Sequence, residues 1–315
     1  MRLDRATWVL ASVSAVWGAS YTVTGWGLRE LDVVTFNAIR FAAAAPLLLV
    51  LALAVEGRPA IARRWWPRLA LSAGIGIVAY QLAFSAAVAL TTVTESAMLI
   101  ALSPFWTALL ARLTGEPVRS AVLTAACVAM AGVALVVLGR GAGHSAPDRA
   151  LGDLAALLAS ALWGAYPVVT RPLLADHSPL RVTAWTSAIG AALLLPAAAA
   201  PALPDGLPRL SGTTVVSLAF SVLGVTVYGL VAWYWGVRRV GSAQTMVFMF
   251  AVPVAAAVFA VVSDTEGVTG LQIAGAVLVL AALIYSQHNP QILDTGVGND
   301  GHHDLDHAGT GDTHR

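Results

Sequence analysis

Ten apolar runs follow one another along this chain with only short polar breaks between them, at 7–28, 33–55, 68–90, 94–113, 118–138, 151–171, 179–200, 212–236, 242–262 and 268–287. A helix of about 20 apolar residues is what it takes to cross the hydrocarbon core of a bilayer. Backbone in lipid must satisfy its own hydrogen bonds, so each run is predicted as a helix. Composition agrees: 58% of the residues are hydrophobic and 11% charged, whereas a soluble domain carries roughly 25% charged residues. The predicted class is an all-α integral membrane protein with ten transmembrane helices. No joining loop is long enough for a folded soluble domain. The first run, after Arg2 and Arg5, could imitate a signal peptide. It is long for that role and rich in Trp, Gly and Thr.

That first run also has a twin. Ser14, Ala15, Trp17, Gly18, Ala19, Val23 and Thr24 align with Ser160, Ala161, Trp163, Gly164, Ala165, Val169 and Thr170. Pro104 followed by Gly115-Glu116 is echoed by Pro253 followed by Asp264 and Glu266. The expected domains are therefore two five-helix repeats, 1–143 and 150–287. An odd number of helices per repeat makes the second enter from the opposite side, the inverted topology common in secondary transporters. When loops are assigned alternately to two sides, Arg58, Arg63, Arg64, Arg68, Arg181, Arg238 and Arg239 fall with most other arginines on one side. Arg29, Arg140, Arg149 and Arg209 fall on the other. The Arg-rich side is expected to be cytoplasmic, with both termini there. Trp65, Trp66, Trp233 and Trp235 near helix ends suit interfacial belts. Residues 288–315 are polar and rich in Gly, Asp and His, and are expected to form a disordered cytoplasmic tail.

This ordered set of features resembles the EamA-type members of the drug/metabolite transporter superfamily over 1–287. The motifs are Trp17-Gly18, Trp163-Gly164, Asn37-Ala38-Ile39-Arg40-Phe41, Pro104 to Glu116, and Pro253 to Glu266. Thr186 stands where the second repeat would match Arg40, and Asp264-Thr265-Glu266 replaces the Gly-Glu pair. The resemblance implies movement of a small metabolite or drug across a bacterial inner membrane, usually outward. It names no cargo.

Candidate site residues are those whose chemistry is costly in lipid. Trp17 and Trp163 lie mid-helix, and each indole N–H needs a polar partner. They either face a central cavity or fill the interface between halves. Tyr21, Tyr80, Gln81, Phe84, Met98, Tyr166, Tyr228 and Gln244 complete the expected cargo-binding set. Arg40 is the one arginine well inside a predicted helix. It is a candidate for gating or for holding a carboxylate or phosphate, with a purely structural role as the other reading. Glu95, at the start of the fourth helix, is either a helix-start acid or a proton-coupling group whose pKa is raised by partial burial.

Several functions are disfavoured. Every basic residue is Arg, and a P-loop ATP site needs Lys. The single cysteine, Cys127, makes no internal disulfide. No His falls within a predicted helix, and no nucleophile–base or zinc motif is present, against an intramembrane enzyme. His302, His303, Asp304, Asp306 and His307 lack a framework to fix a metal, so no metal or cofactor is expected. The expected partners are a small-molecule cargo, lipid and a coupling proton, with no nucleic acid. The expected state is a monomer, and a facilitative exchanger or channel is the alternative function.

Overall fold

The computed structural model describes residues 5–58, 60–113, 148–202, 210–240, 248–263, 267 and 269–287, with scattered positions between 124 and 139. All regular structure among them is helical. Helix α1 is Arg5–Gly27, α2 is Val33–Glu56 and α3 is Arg63–Leu90. The fourth predicted span is two helices, α4 (Val93–Ile100) and α5 (Ser103–Leu113). Then come α6 (Arg149–Asp176), α7 (Pro179–Ala202), α8 (212–240), α9 (Ala251–Val262, after a 3₁₀ turn Phe248–Phe250) and α10 (Gly270–Gln287). The fifth predicted span and the 288–315 tail lie mostly or wholly outside the described residues. Five helices are long and apolar enough to cross a membrane by length and composition: Val33–Glu56, Arg63–Leu90, Arg149–Asp176, Pro179–Ala199 and Gly212–Trp233.

Local chemistry sets the boundaries. The Asp32 carboxylate accepts from Val34 N (2.9 Å) and Thr35 N (3.0 Å), capping α2. Gly57 ends it with φ 76°, a left-handed conformation that favours glycine. Thr92 caps α4 by accepting from Glu95 N at 3.1 Å. The break between α4 and α5 falls just before Pro104, which has no N–H to continue the ladder. Two helices contain wide π turns, Gly74–Ala79 in α3 and Phe220–Tyr228 in α8. Such turns are frequent at functional sites.

Beside an apolar core that includes Phe36, Phe41, Leu48 and Leu69, many large apolar residues face outward and many small polar residues face inward. Val50, Leu53, Leu154, Val216, Val258 and Val277 are exposed, while Ser14, Thr24, Ser72, Ser85, Ser160, Thr186 and Ser187 are buried. Apolar side chains gain nothing by leaving lipid, so small polar residues that let helices approach closely share the interior with the apolar core. Helix α2 lies along α7, α1 packs on α8 and α9, and α6 packs on α3, α4 and α5. Each Trp-Gly helix is thus seated against helices of the other part of the chain. Gly132 approaches α10 so closely that an added Cβ would stand 2.7 Å from the Gly275 carbonyl oxygen. Small residues on both sides let the two helices approach this closely.

Candidate functional site

The duplicated Ser-Ala-x-Trp-Gly-Ala stretch builds the site from both sides. Ser14 Oγ donates to the Phe248 carbonyl at 2.6 Å, in the turn that opens α9. Its twin Ser160 Oγ points at the Ile100 carbonyl at a longer 3.4 Å, where α4 ends. A Cβ on Gly18 would stand 2.8 Å from Ala256 N, and one on Gly164 would stand 2.6 Å from the Ser103 carbonyl oxygen. No side chain fits at either point, so glycine is what allows each contact. The Ile100 carbonyl, where α4 ends, and the Phe248 carbonyl, in the 3₁₀ turn before α9, find their partners here.

These seats bring the tryptophans together. Trp17 and Trp163 meet edge to face with ring centroids 6.2 Å apart. Trp17 Nε1 donates to the Val225 carbonyl at 3.2 Å, within the π turn of α8. Trp163 lies 4.8 Å from Tyr80 and 6.0 Å from Tyr166. Phe84 joins Tyr80 (6.1 Å) to Tyr21 (4.9 Å). On the far side Trp233 packs on Trp17 at 5.1 Å. Trp233 was expected at a membrane interface. It is buried against Trp17, two turns before α8 ends at Val240.

The aromatic belt borders a cavity of about 80 Å³. From the first part of the chain Trp17, Tyr21, Arg40, Tyr80, Gln81 and Phe84 line it. From the second come Trp163, Tyr166, Val225, Thr226 and Val252. Met98 and Tyr228 do not line it. Met98 is fully buried in α4, and Tyr228 is 41% exposed with its hydroxyl 2.6 Å from Ser12 Oγ. Gln244 lies outside the described residues.

Arg40 forms the polar wall. It is 3% exposed. Its Nε donates to Thr226 Oγ1 at 3.0 Å and its Nη1 to Gln81 Oε1 at 3.0 Å. Its guanidinium carbon lies 5.2 Å from the Phe41 ring centre. The Thr226 hydroxyl in turn donates to the Ser221 carbonyl at 2.8 Å, within the π turn. Sequence reasoning had no signal for Thr226 beyond a hydroxyl in an apolar run.

Glu95 stands apart from the cavity, at the end of the molecule where α3 gives way to α4. It has no solvent exposure. Arg149 Nε donates to its Oε2 at 2.8 Å, and Arg149 Nη2 pairs with its Oε1. Thr91 Oγ1 is 2.7 Å from Glu95 Oε2 and 2.9 Å from Asp153 Oδ1. One hydroxyl proton serves one acceptor at a time. The start of α6 is held close here, for a Cβ on Gly152 would stand 2.7 Å from Thr91 N. Sequence reasoning counted Arg149 as a loop arginine and missed this pairing. Outside the spans, hydrogen bonds from Ser211 hold the Glu30 carboxyl below the usual carboxylate range, tying the α1–α2 loop to the start of α8. At the opposite end of α3, Ser178 Oγ donates to Glu56 Oε2 at 2.5 Å, with Arg181 Nη2 at 3.5 Å from the same oxygen.

Comparison with known proteins agrees with a transport role. A probable terminal-alkyne amino-acid exporter of Streptantibioticus cattleyicolor is 27% identical over 285 residues, covering 90% of this chain and 94% of the relative. An uncharacterized transporter of Archaeoglobus fulgidus is 25% identical over 275 residues, covering 87% and 94%. One of Bacillus subtilis is 26% identical over 281 residues, covering 88% and 91%. A crystal structure of a protein 22% identical superposes with a TM-score of 0.66 over 92% of this chain and 99% of the other, so the fold is shared. The family model for EamA-like transporters matches residues 5–138 and again 150–286. The chain belongs to the EamA-like transporter family, and is an integral membrane transport protein.

Proposed function

We propose that this chain is a secondary carrier that exports a small metabolite, amino-acid-like in size, or a drug across the bacterial inner membrane by alternating access. The observation that carries this reading is the mid-bundle cavity, walled by helices from both parts of the chain. Cargo held there meets both parts at once, so a relative movement of the two would expose it to one side and then the other. The exchanged packing of α1 and α6, and the π turns recurring in α3 and α8, support two inverted five-helix repeats at 1–143 and 150–287. The arginine bias supports ten spans with both termini and the 288–315 tail in the cytoplasm. The relative described as a probable amino-acid exporter supports an amino-acid-like cargo. In this reading the carrier works as a monomer and draws on an ion gradient or on exchange.

The test is a comparison of solutes accumulating outside cells with and without the chain, followed by counterflow of each hit in proteoliposomes. Saturable counterflow, driven by solute on the opposite face, is expected. Flux that rises without saturation would replace the carrier with a channel. Flux that saturates but ignores an imposed pH gradient would make it a facilitator or exchanger.

A further inference from the structure

The cavity contains a cation without an anion. Arg40 has five N–H donors in a planar fork. Two are taken, by Thr226 and Gln81, both neutral. Among the described residues no carboxylate lies within ion-pair distance of Arg40, and its Nη2 makes no hydrogen bond. A buried charge with neutral partners alone is expensive unless something else completes it. Guanidinium matches a carboxylate through parallel N–H···O bonds, and the two anchors fix the fork in one orientation. Beside it stand Trp17, Tyr80 and Trp163, apolar faces with no acid among the residues that line the cavity.

We propose, resting on the carrier reading above, that Arg40 is the binding site for the carboxylate of the cargo, whose short apolar body lies against Trp17, Tyr80 and Trp163. An amino group on the cargo is tolerated over the aromatic faces but is not required, because the wall offers no acid to pair with it. A cavity of about 80 Å³ is well below the ~300 Å³ at which sites for drug-sized ligands begin. The guanidinium wall and the small volume together favour a small organic acid, amino acids included.

The full chain, purified in detergent, tests this with four probes of one chain length: pentanoate, norvaline, norvalinamide and pentylamine. Binding is read as a change in tryptophan fluorescence. Pentanoate and norvaline should bind, and the amide and amine at least about tenfold more weakly, as expected when a charged hydrogen bond is lost. In Arg40→Gln the acids should fall to the level of the amide, and Arg40→Lys should regain part of the difference. If Arg40→Gln does not fold, Gln81→Ala and Thr226→Val free the fork from its anchors. Each should then weaken acid binding more than amide binding. Equal binding of acid and amide, or a preference for acid that survives Arg40→Gln, overturns the proposal. Failure of all four probes overturns it too, while counterflow of another solute would leave the carrier reading standing.

Discussion

Among the described residues two arginines are buried, and they are accommodated in different ways. Arg149, at the end where α3 meets α4 and α6, is matched by a fully buried carboxylate, Glu95, through two of its nitrogens. Arg40, halfway along the bundle, is held by a threonine and a glutamine and opens on a cavity. In the first case the charge is balanced within the protein, and the pair joins α4 to the start of α6. In the second the protein fixes the cation and leaves the anion to be supplied. Burial alone does not distinguish a structural arginine from a binding one; the charge state of its partners does.

The largest expected effect is at the balanced pair. Arg149→Met or Glu95→Gln leaves one buried group without its counterpart, and breaking a buried pair on one side costs about 3–5 kcal/mol. Each single variant should lose thermal stability and yield in detergent. The double variant should recover much of the loss, because neither charge remains. Any Glu95→Gln protein that folds should still respond to an imposed pH gradient as the parent does, since a carboxylate locked to Arg149 is not available to cycle protons. Loss of that response with stability intact would turn the pair from a clasp into a coupling site.

Arg40→Gln should behave in the opposite way. Removing the cation leaves neutral groups, and Thr226 keeps its bond to the Ser221 carbonyl. The expected stability loss is about 1–2 kcal/mol, the scale of one or two hydrogen bonds, whereas transport of cargo should fall to background. Unfolding midpoints and counterflow, measured on the same preparations, check the contrast. Trp17→Phe should be milder than either: it keeps the ring stack and loses the bond to the Val225 carbonyl, for about 1 kcal/mol and a partial loss of transport.

Most of the helices were legible because length and hydropathy are local properties. Polar side chains within apolar runs were legible for a related reason. Trp17, Trp163, Gln81 and Arg40 each stand out as residues that lipid would not hold, and the fold turns them to a common cavity. What was not legible depends on contact. Arg149 follows a polar loop and reads as surface; only the approach of α6 to Thr91 buries it against an acid 54 residues earlier in the chain. Trp233 reads as a belt residue, and nothing in its hydropathy announces its contact with Trp17. The π turns leave no mark in hydropathy. The break between α4 and α5 had a sequence sign, Pro104, but apolar flanks hide it inside one continuous run.

The smallest effect is expected where an ion pair is neither buried nor well aligned. At the far end of α3, Arg181 reaches Glu56 through Nη2 alone at 3.5 Å, with side-chain exposures of 24% and 16%. Arg181 Nε is buried without a partner, so the fork is half used. Pairs of this kind contribute about 0–1 kcal/mol. The shorter bond there is from Ser178 Oγ, which also accepts from Arg181 N at 3.1 Å and so caps α7. Ser178→Ala removes both bonds and should cost about 1 kcal/mol. Arg181→Gln should cost less than Ser178→Ala, and its unfolding midpoint should shift with added salt less than that of the parent. If Arg181→Gln proved as damaging as Arg149→Met, depth would not be what gives the Glu95–Arg149 pair its weight. The contrast with Arg40 would then have to rest on geometry alone.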